Sequence, residues 1–176
     1  YDKLLLPQDS PLRKAVVISN PLGEDFSIMR TVSLNGMLTS LSTNFNRRNK
    51  NVRLYELGNI YLPKQVPVTE LPEERMQFTL GMYGEGDFFT MKGVIEEFLY
   101  KAGMKLKPEY DPEAGKPFLH PGRQANVVYD GTVIGYLGEV HPTVAANYAI
   151  KERVYVAVLD MPEIVSHASF DHKYEG

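Results

Sequence analysis

The 176-residue chain contains no cysteine. That one absence removes disulfides, thiol catalysis and cysteine-ligated zinc together. It fits a cytoplasmic protein. No apolar run approaches the roughly 18 residues that a membrane span requires, and no secretory leader pattern is visible, so no membrane partner is expected. A basic excess is missing as well: 19 Lys and Arg stand against 22 Asp and Glu, for a net charge of −3. Stand-alone nucleic-acid binders draw most of their affinity from phosphate neutralisation. A mildly acidic chain is poorly suited to that task, and no DNA partner is expected.

Catalytic patterns are equally scarce. No serine sits in a nucleophile-elbow motif, and no HExxH or close His/Asp spacing suggests a metal. The glutamates form no evident dyad. His120 and His141 each precede a proline. They read as loop histidines whose rings bond the backbone beside a turn, rather than as an acid–base or metal pair. Gly131, Gly135 and Gly138 lie in a stretch that reads as strand on both sides, so they do not form a phosphate-binding loop opening a helix. They suit close backbone approach in a twisted sheet.

What is present is a strongly patterned helix. Leu34, Met37, Leu38, Leu41 and Phe45 recur at helical spacing on one stripe. Ser33 is placed to cap the first turn. Arg47, Arg48 and Lys50 follow at the end where cations suit the helix dipole, with Asn49 and Asn51 as stop residues. Burying each stripe side chain contributes roughly 1.5–3 kcal/mol before entropy, so the helix must pack on something. Two readings follow: a core helix under its own sheet, or a helix packed on another chain. Arg47, Arg48, Lys50 and Arg53 form the one local basic cluster. It reads as a solvated helix end or as an RNA or phosphate contact.

The rest alternates strands and helices. Residues 15–19 read as a buried strand, and 20–31 as a turn and lead-in. Residues 52–62 read as a strand in which Gly58 marks a bulge or a close backbone approach, 63–75 as an exposed loop and 76–82 as a half-buried strand. A second helix follows a cap at Asp87 or Thr90 and stops at Gly103. Residues 104–110 read as a strand, and 111–122 as a loop carrying His120. Asp130-Gly131 marks a hairpin between 124–129 and 132–140. A short helix opens at Pro142, an alternating strand starts at Val154, and one more helical turn covers 162–167. Hairpin-joined strands with helices laid on them predict an α+β domain with a mostly antiparallel sheet.

Four blocks carry a family resemblance, in order: NPLGEDFSIMRTVSLNGMLTSLSTNFNRRNKNVRLYELGNIY from Asn20, DFFTMKG from Asp87, LHPGR from Leu119 and IGYLGEVHP from Ile134, followed by the strand Val154–Met161. Together they resemble the β chain of bacterial phenylalanyl-tRNA synthetase in its synthetase-like core. The resemblance implies a class II aminoacyl-tRNA synthetase-like fold over residues 16–165. It makes 1–15 the remnant of an upstream linker and 166–176 the start of a downstream one. It implies a catalytic α chain as partner in a heterotetramer and tRNA(Phe) reached through the whole enzyme. ATP and magnesium would likewise belong to that enzyme, with no cofactor, metal or catalytic residue in this domain.

By the same resemblance, residues 28–49 match the motif that builds class II subunit interfaces. Arg30, Leu34, Met37, Leu38, Leu41 and Phe45 would then meet the α chain. Arg53-Leu54-Tyr55-Glu56 echoes the ATP-binding motif 2. Gly135–Pro142, where motif 3 is expected, has no arginine, and a triphosphate clamp needs that charge. Adenylation chemistry is therefore expected to be lost. The rival reading, an active adenylate-forming ligase, would have to draw on Arg53, Glu56, Arg123 and His120.

Overall fold

A computed structural model describes residues 2–5, 16–19, 26–29, 33–62, 73–84 and 86–173. Strands β1 (Val16–Ser19) and β2 (Phe26–Met29) form a small antiparallel pair of their own. Helix α1 (Leu34–Asn46) leads into β3 (Val52–Leu62), followed by β4 (Glu73–Tyr83) and α2 (Phe88–Lys101). Next come β5 (Glu109–Asp111), β6 (Leu119–Tyr129), β7 (Thr132–Val140), α3 (Pro142–Asn147), β8 (Val154–Asp160) and α4 (Met161–Lys173). The main sheet runs β3-β4-β8-β7-β6-β5, antiparallel at every pairing. The α+β expectation therefore holds.

Both faces of the sheet are covered. On one, α1 and α3 cover Val154, Val156 and Val158 of β8. On the other, α2 and α4 cover Tyr155, Ala157 and Leu159. The alternation along β8 is the strand's two-residue period sending successive side chains to opposite cores. Glycines let the layers approach. A Cβ on Gly81 would sit 2.8 Å from the Met37 side chain and 2.9 Å from Leu41 Cδ1, so α1 seats directly on β4 there.

Several local expectations are confirmed. Asp130 (φ 48°) and Gly131 (φ 80°) make the hairpin turn between β6 and β7, and Gly103 (φ 93°) ends α2. Asp87 and Thr90 both cap α2: the Asp87 carboxylate accepts from Thr90 N–H at 3.0 Å, and Thr90 Oγ1 accepts from Asp87 N–H at 3.2 Å.

Others need correction. Ser33 does not cap α1; its buried hydroxyl instead accepts from Thr79 Oγ1 at 2.8 Å on β4. The turn after α1 is made by Arg48 in the left-handed region (φ 62°), not by an asparagine. Residues 26–29 are a strand rather than lead-in, and β3 pairs through Gly58 without a register shift, so Gly58 makes no bulge. The breaks fall in β6, between Leu119 and Gln124 and between Val127 and Val128. Residues 119–122 are strand, not loop, and β4 begins at Glu73. The strand expected over 104–110 is confined to Glu109–Asp111, and α4 runs through to Lys173 rather than for one turn.

The α2 cap makes a pH prediction. The Thr90 backbone bond holds the Asp87 carboxyl below its ordinary value. A depressed folded pKa gives stability that is present above the unfolded value and lost as pH falls through the folded one. The melting temperature of the chain should therefore drop more steeply on acidification than that of Asp87→Asn, whose amide still caps. Equal acid slopes would remove this role for Asp87.

Candidate functional site

The α1 stripe turns inward. Leu34, Leu38 and Leu41 are 0% exposed and Met37 is 2% exposed, all within the chain's own core. Phe45 is half-buried and meets the Tyr83 ring edge-on at 5.7 Å. The core reading of this helix therefore holds, and Leu34, Met37, Leu38 and Leu41 offer a partner no surface in the folded chain. A neighbouring flank of α1 is bound to α3: Ser42 Oγ donates to the Tyr148 carbonyl, and Tyr148 O–H donates to Asn35 Oδ1 at 2.6 Å. The open face is polar, carrying Thr39, Ser40 and Thr43. Arg30 lies outside the described residues.

An apolar surface appears where the pattern gave no warning, at the sheet edge. β3 borders the sheet, and among the described residues nothing pairs with its outer side. Val52 and Leu54 face the α1 core. Tyr55 and Leu57 point to the other face and stay 53% and 58% exposed. Met76, diagonal to Leu57 in the β3–β4 register, is 44% exposed. Tyr55 is braced by Phe78 at 5.8 Å, itself stacked on Phe98 at 4.6 Å. A long edge strand with exposed apolar side chains is a template for another chain. Sequence reading found β3 but not its edge position, because pairing order is not visible in local periodicity.

The basic cluster is exposed throughout: Arg47 and Arg48 close α1, Lys50 lies in the connection and Arg53 is on β3. Lys50 shares a polar cleft with Asp87 and Glu152, so its surroundings carry both signs of charge.

The four residues an adenylating site would need do not converge. Arg53 and Glu56 stand three residues apart on one strand and so point to opposite faces. Arg53 on β3 and Arg123 on β6 are separated by four strand spacings, roughly 19 Å. Arg123 donates from Nη1 to Glu139 Oε1 at 3.0 Å and to Oε2 at 3.3 Å. Glu139 is 3% exposed, and Arg153 Nε approaches it at 3.6 Å. Sequence reading missed Glu139; only an isolated acid in an otherwise apolar strand could have signalled it.

His120 Nδ1 accepts from Gly122 N–H at 3.0 Å, and His141 Nδ1 accepts from Thr143 N–H at 3.1 Å. Both rings bond the backbone beside a proline, as expected, but His120 does so from within β6 rather than from a loop. The strand-to-helix junctions, β7 into α3 and β8 into α4, carry no arginine in Val140–Thr143 or Leu159–Glu163. Among the described residues no three His, Asp or Glu side chains gather as metal ligands, and no helix is long and apolar enough to cross a membrane.

Comparison with known proteins decides the family. The family profile described as "Phenylalanyl tRNA synthetase beta chain CLM domain" matches residues 1–161. The chain belongs to that family. It is 44% identical over 175 residues to the phenylalanine–tRNA ligase beta subunit of Clostridium acetobutylicum, covering 99% of this chain and 22% of that protein. The Clostridium tetani subunit of the same name is 41% identical over 175 residues, again covering 99% and 22%. That of Symbiobacterium thermophilum is 37% identical over 172 residues, covering 90% and 19%. The chain thus spans about a fifth of the length of the relatives it matches.

Proposed function

We propose that this chain is a non-catalytic, class II synthetase-like domain of a phenylalanine–tRNA ligase beta subunit. It supports a catalytic alpha chain through a protein interface, while the whole enzyme charges tRNA(Phe) in the cytoplasm using ATP and magnesium. The observation that carries this reading is the dispersal of the would-be ATP ligands. A triphosphate needs its cations within a few ångströms of one another. Here Arg53, on the edge strand β3, and Arg123, on β6, stand four strand spacings apart, roughly 19 Å.

The interface belongs on β3 rather than on the α1 stripe. Tyr55, Leu57 and Met76 form a contiguous apolar strip beside open backbone groups, and both favour a partner strand. The exposed Arg47, Arg48 and Lys50 are left as contacts for RNA phosphates brought by the whole enzyme. The test mixes the chain with a catalytic alpha chain and reads complex mass by light scattering. The double variant Tyr55→Ser/Leu57→Ser should stay folded and weaken association at least about tenfold, because interface energy concentrates in such anchors. Undiminished association would remove β3 from the interface. ATP–pyrophosphate exchange by the chain alone would overturn the non-catalytic reading.

A further inference from the structure

Between the start of α2 and strands β5 and β6 lies a cavity of about 480 Å³, within the range of small-molecule sites. Its walls combine aromatic rings with cations. Lys92 Nζ lies 4.9 Å from the Phe88 ring centre, 5.6 Å from Phe89 and 4.4 Å from Tyr110. Arg123, on β6, also lines it, and no carboxylate does. Glu96, about one turn further along α2, is taken up by the Tyr110 hydroxyl at 3.0 Å. Arg123 keeps a side chain 44% exposed beyond its pairing with Glu139.

Phe89 is the unusual member. It is 75% exposed at the cavity mouth, set nearly perpendicular to Phe88 at 82°. An exposed ring beside an ammonium with no carboxylate partner among the described residues has two unmet capacities. The ring face accepts a planar partner, and the cation accepts an anion. Phe88 and Tyr110 hold Lys92 by cation–π attraction, so its charge is pre-positioned rather than free to wander.

We propose that this cavity binds a flat ring carrying negative charge, namely a nucleotide. The base stacks on Phe89, and the phosphate lies between Lys92 and Arg123. Two sources supply that chemistry: a free mononucleotide, or one unpaired nucleotide of an RNA strand. The inference stands apart from the alpha-chain reading, since β3 lies at the opposite edge of the sheet from β5.

The test is isothermal titration of the chain with AMP, with adenosine and with a five-nucleotide single-stranded RNA, repeated for Phe89→Ala and Lys92→Gln. Phe89 is exposed and Lys92 lies on the helix surface, so both variants keep the fold, which circular dichroism checks. The expected result is saturable binding of AMP, the RNA or both, at least fivefold weaker in each variant, with adenosine at least fivefold weaker than AMP. Binding of AMP alone, or of both ligands, assigns a free nucleotide; binding of the RNA alone assigns an RNA strand. The proposal is overturned if neither ligand binds at millimolar concentration, if either variant binds as the parent does, or if adenosine matches AMP.

Discussion

Leu38→Asp should leave the chain unfolded, and Leu38→Ala should cost about 2–5 kcal/mol. Leu38 is fully enclosed among Leu34, Leu41, Val156 and Val158. An aspartate there would bury a carboxylate with no partner, far costlier than lost packing. Domains are stable by only about 5–15 kcal/mol in total, so even the alanine variant loses a large share. Urea denaturation reads the effect directly: the midpoint falls while the slope is unchanged. A Leu38→Asp chain that folded with parental stability would mean that α1 does not sit on this sheet. The result also guards the interface test. A Leu38 or Leu41 variant that fails to bind an alpha chain would report unfolding, whereas the exposed Tyr55 and Leu57 isolate the contact itself.

Gly135→Ala and Gly93→Ala should move stability in opposite directions. At Gly135 on β7 a Cβ would stand 2.2 Å from the Val158 carbonyl oxygen and 3.0 Å from Leu159 Cα. Both are backbone atoms of the neighbouring central strand and cannot turn aside as a side chain would. The added methyl must push β7 from β8, at about 3 kcal/mol or more. At Gly93, an exposed position within α2, a Cβ meets nothing within 4 Å. Alanine there should stabilise by about 0.5–1 kcal/mol through the lower entropy of the unfolded chain. Thermal melts of the two variants against the parent provide the check. Similar shifts for both would show that β7 and β8 are not held so closely.

What the sequence disclosed and what it withheld divide along a physical line. Short-range chemistry was legible: the Asp130-Gly131 turn, the Asp87/Thr90 cap, the Gly103 stop, and the ring-to-backbone bonds of His120 and His141 all depend on neighbours within a few residues. Burial of the α1 stripe was legible too, since apolar period reports that a face is covered. It does not report by what, and so the same five residues suited a core and an interface equally. Only the packing of α1 on its own sheet separated them. β2 escaped because Phe26–Met29 holds one β-branched residue, whereas the equally short β1, Val16–Ser19, holds three. Ser33 looked like a cap because capping residues are recognised by type, while its actual partner, Thr79, lies 46 positions away. The Glu139–Arg123 pair was unreadable for the same reason: their contact follows from the register of β6 on β7.

The place of β8 has a consequence for how the chain is made. β4 ends at Tyr83 and β8 begins at Val154, yet β8 lies between β4 and β7. During synthesis two separate pieces emerge first, the β3–β4 hairpin and the β5–β6–β7 meander. Each carries one apolar edge that its neighbour will occupy only later. β8, the last of these strands to be made, joins them, closing a long loop before its ladders form, which is slow. Until that moment the nascent chain holds open strand edges of the kind that pair with the wrong partner. A chain ending before Val154 would therefore be two unfinished sheets rather than a smaller domain.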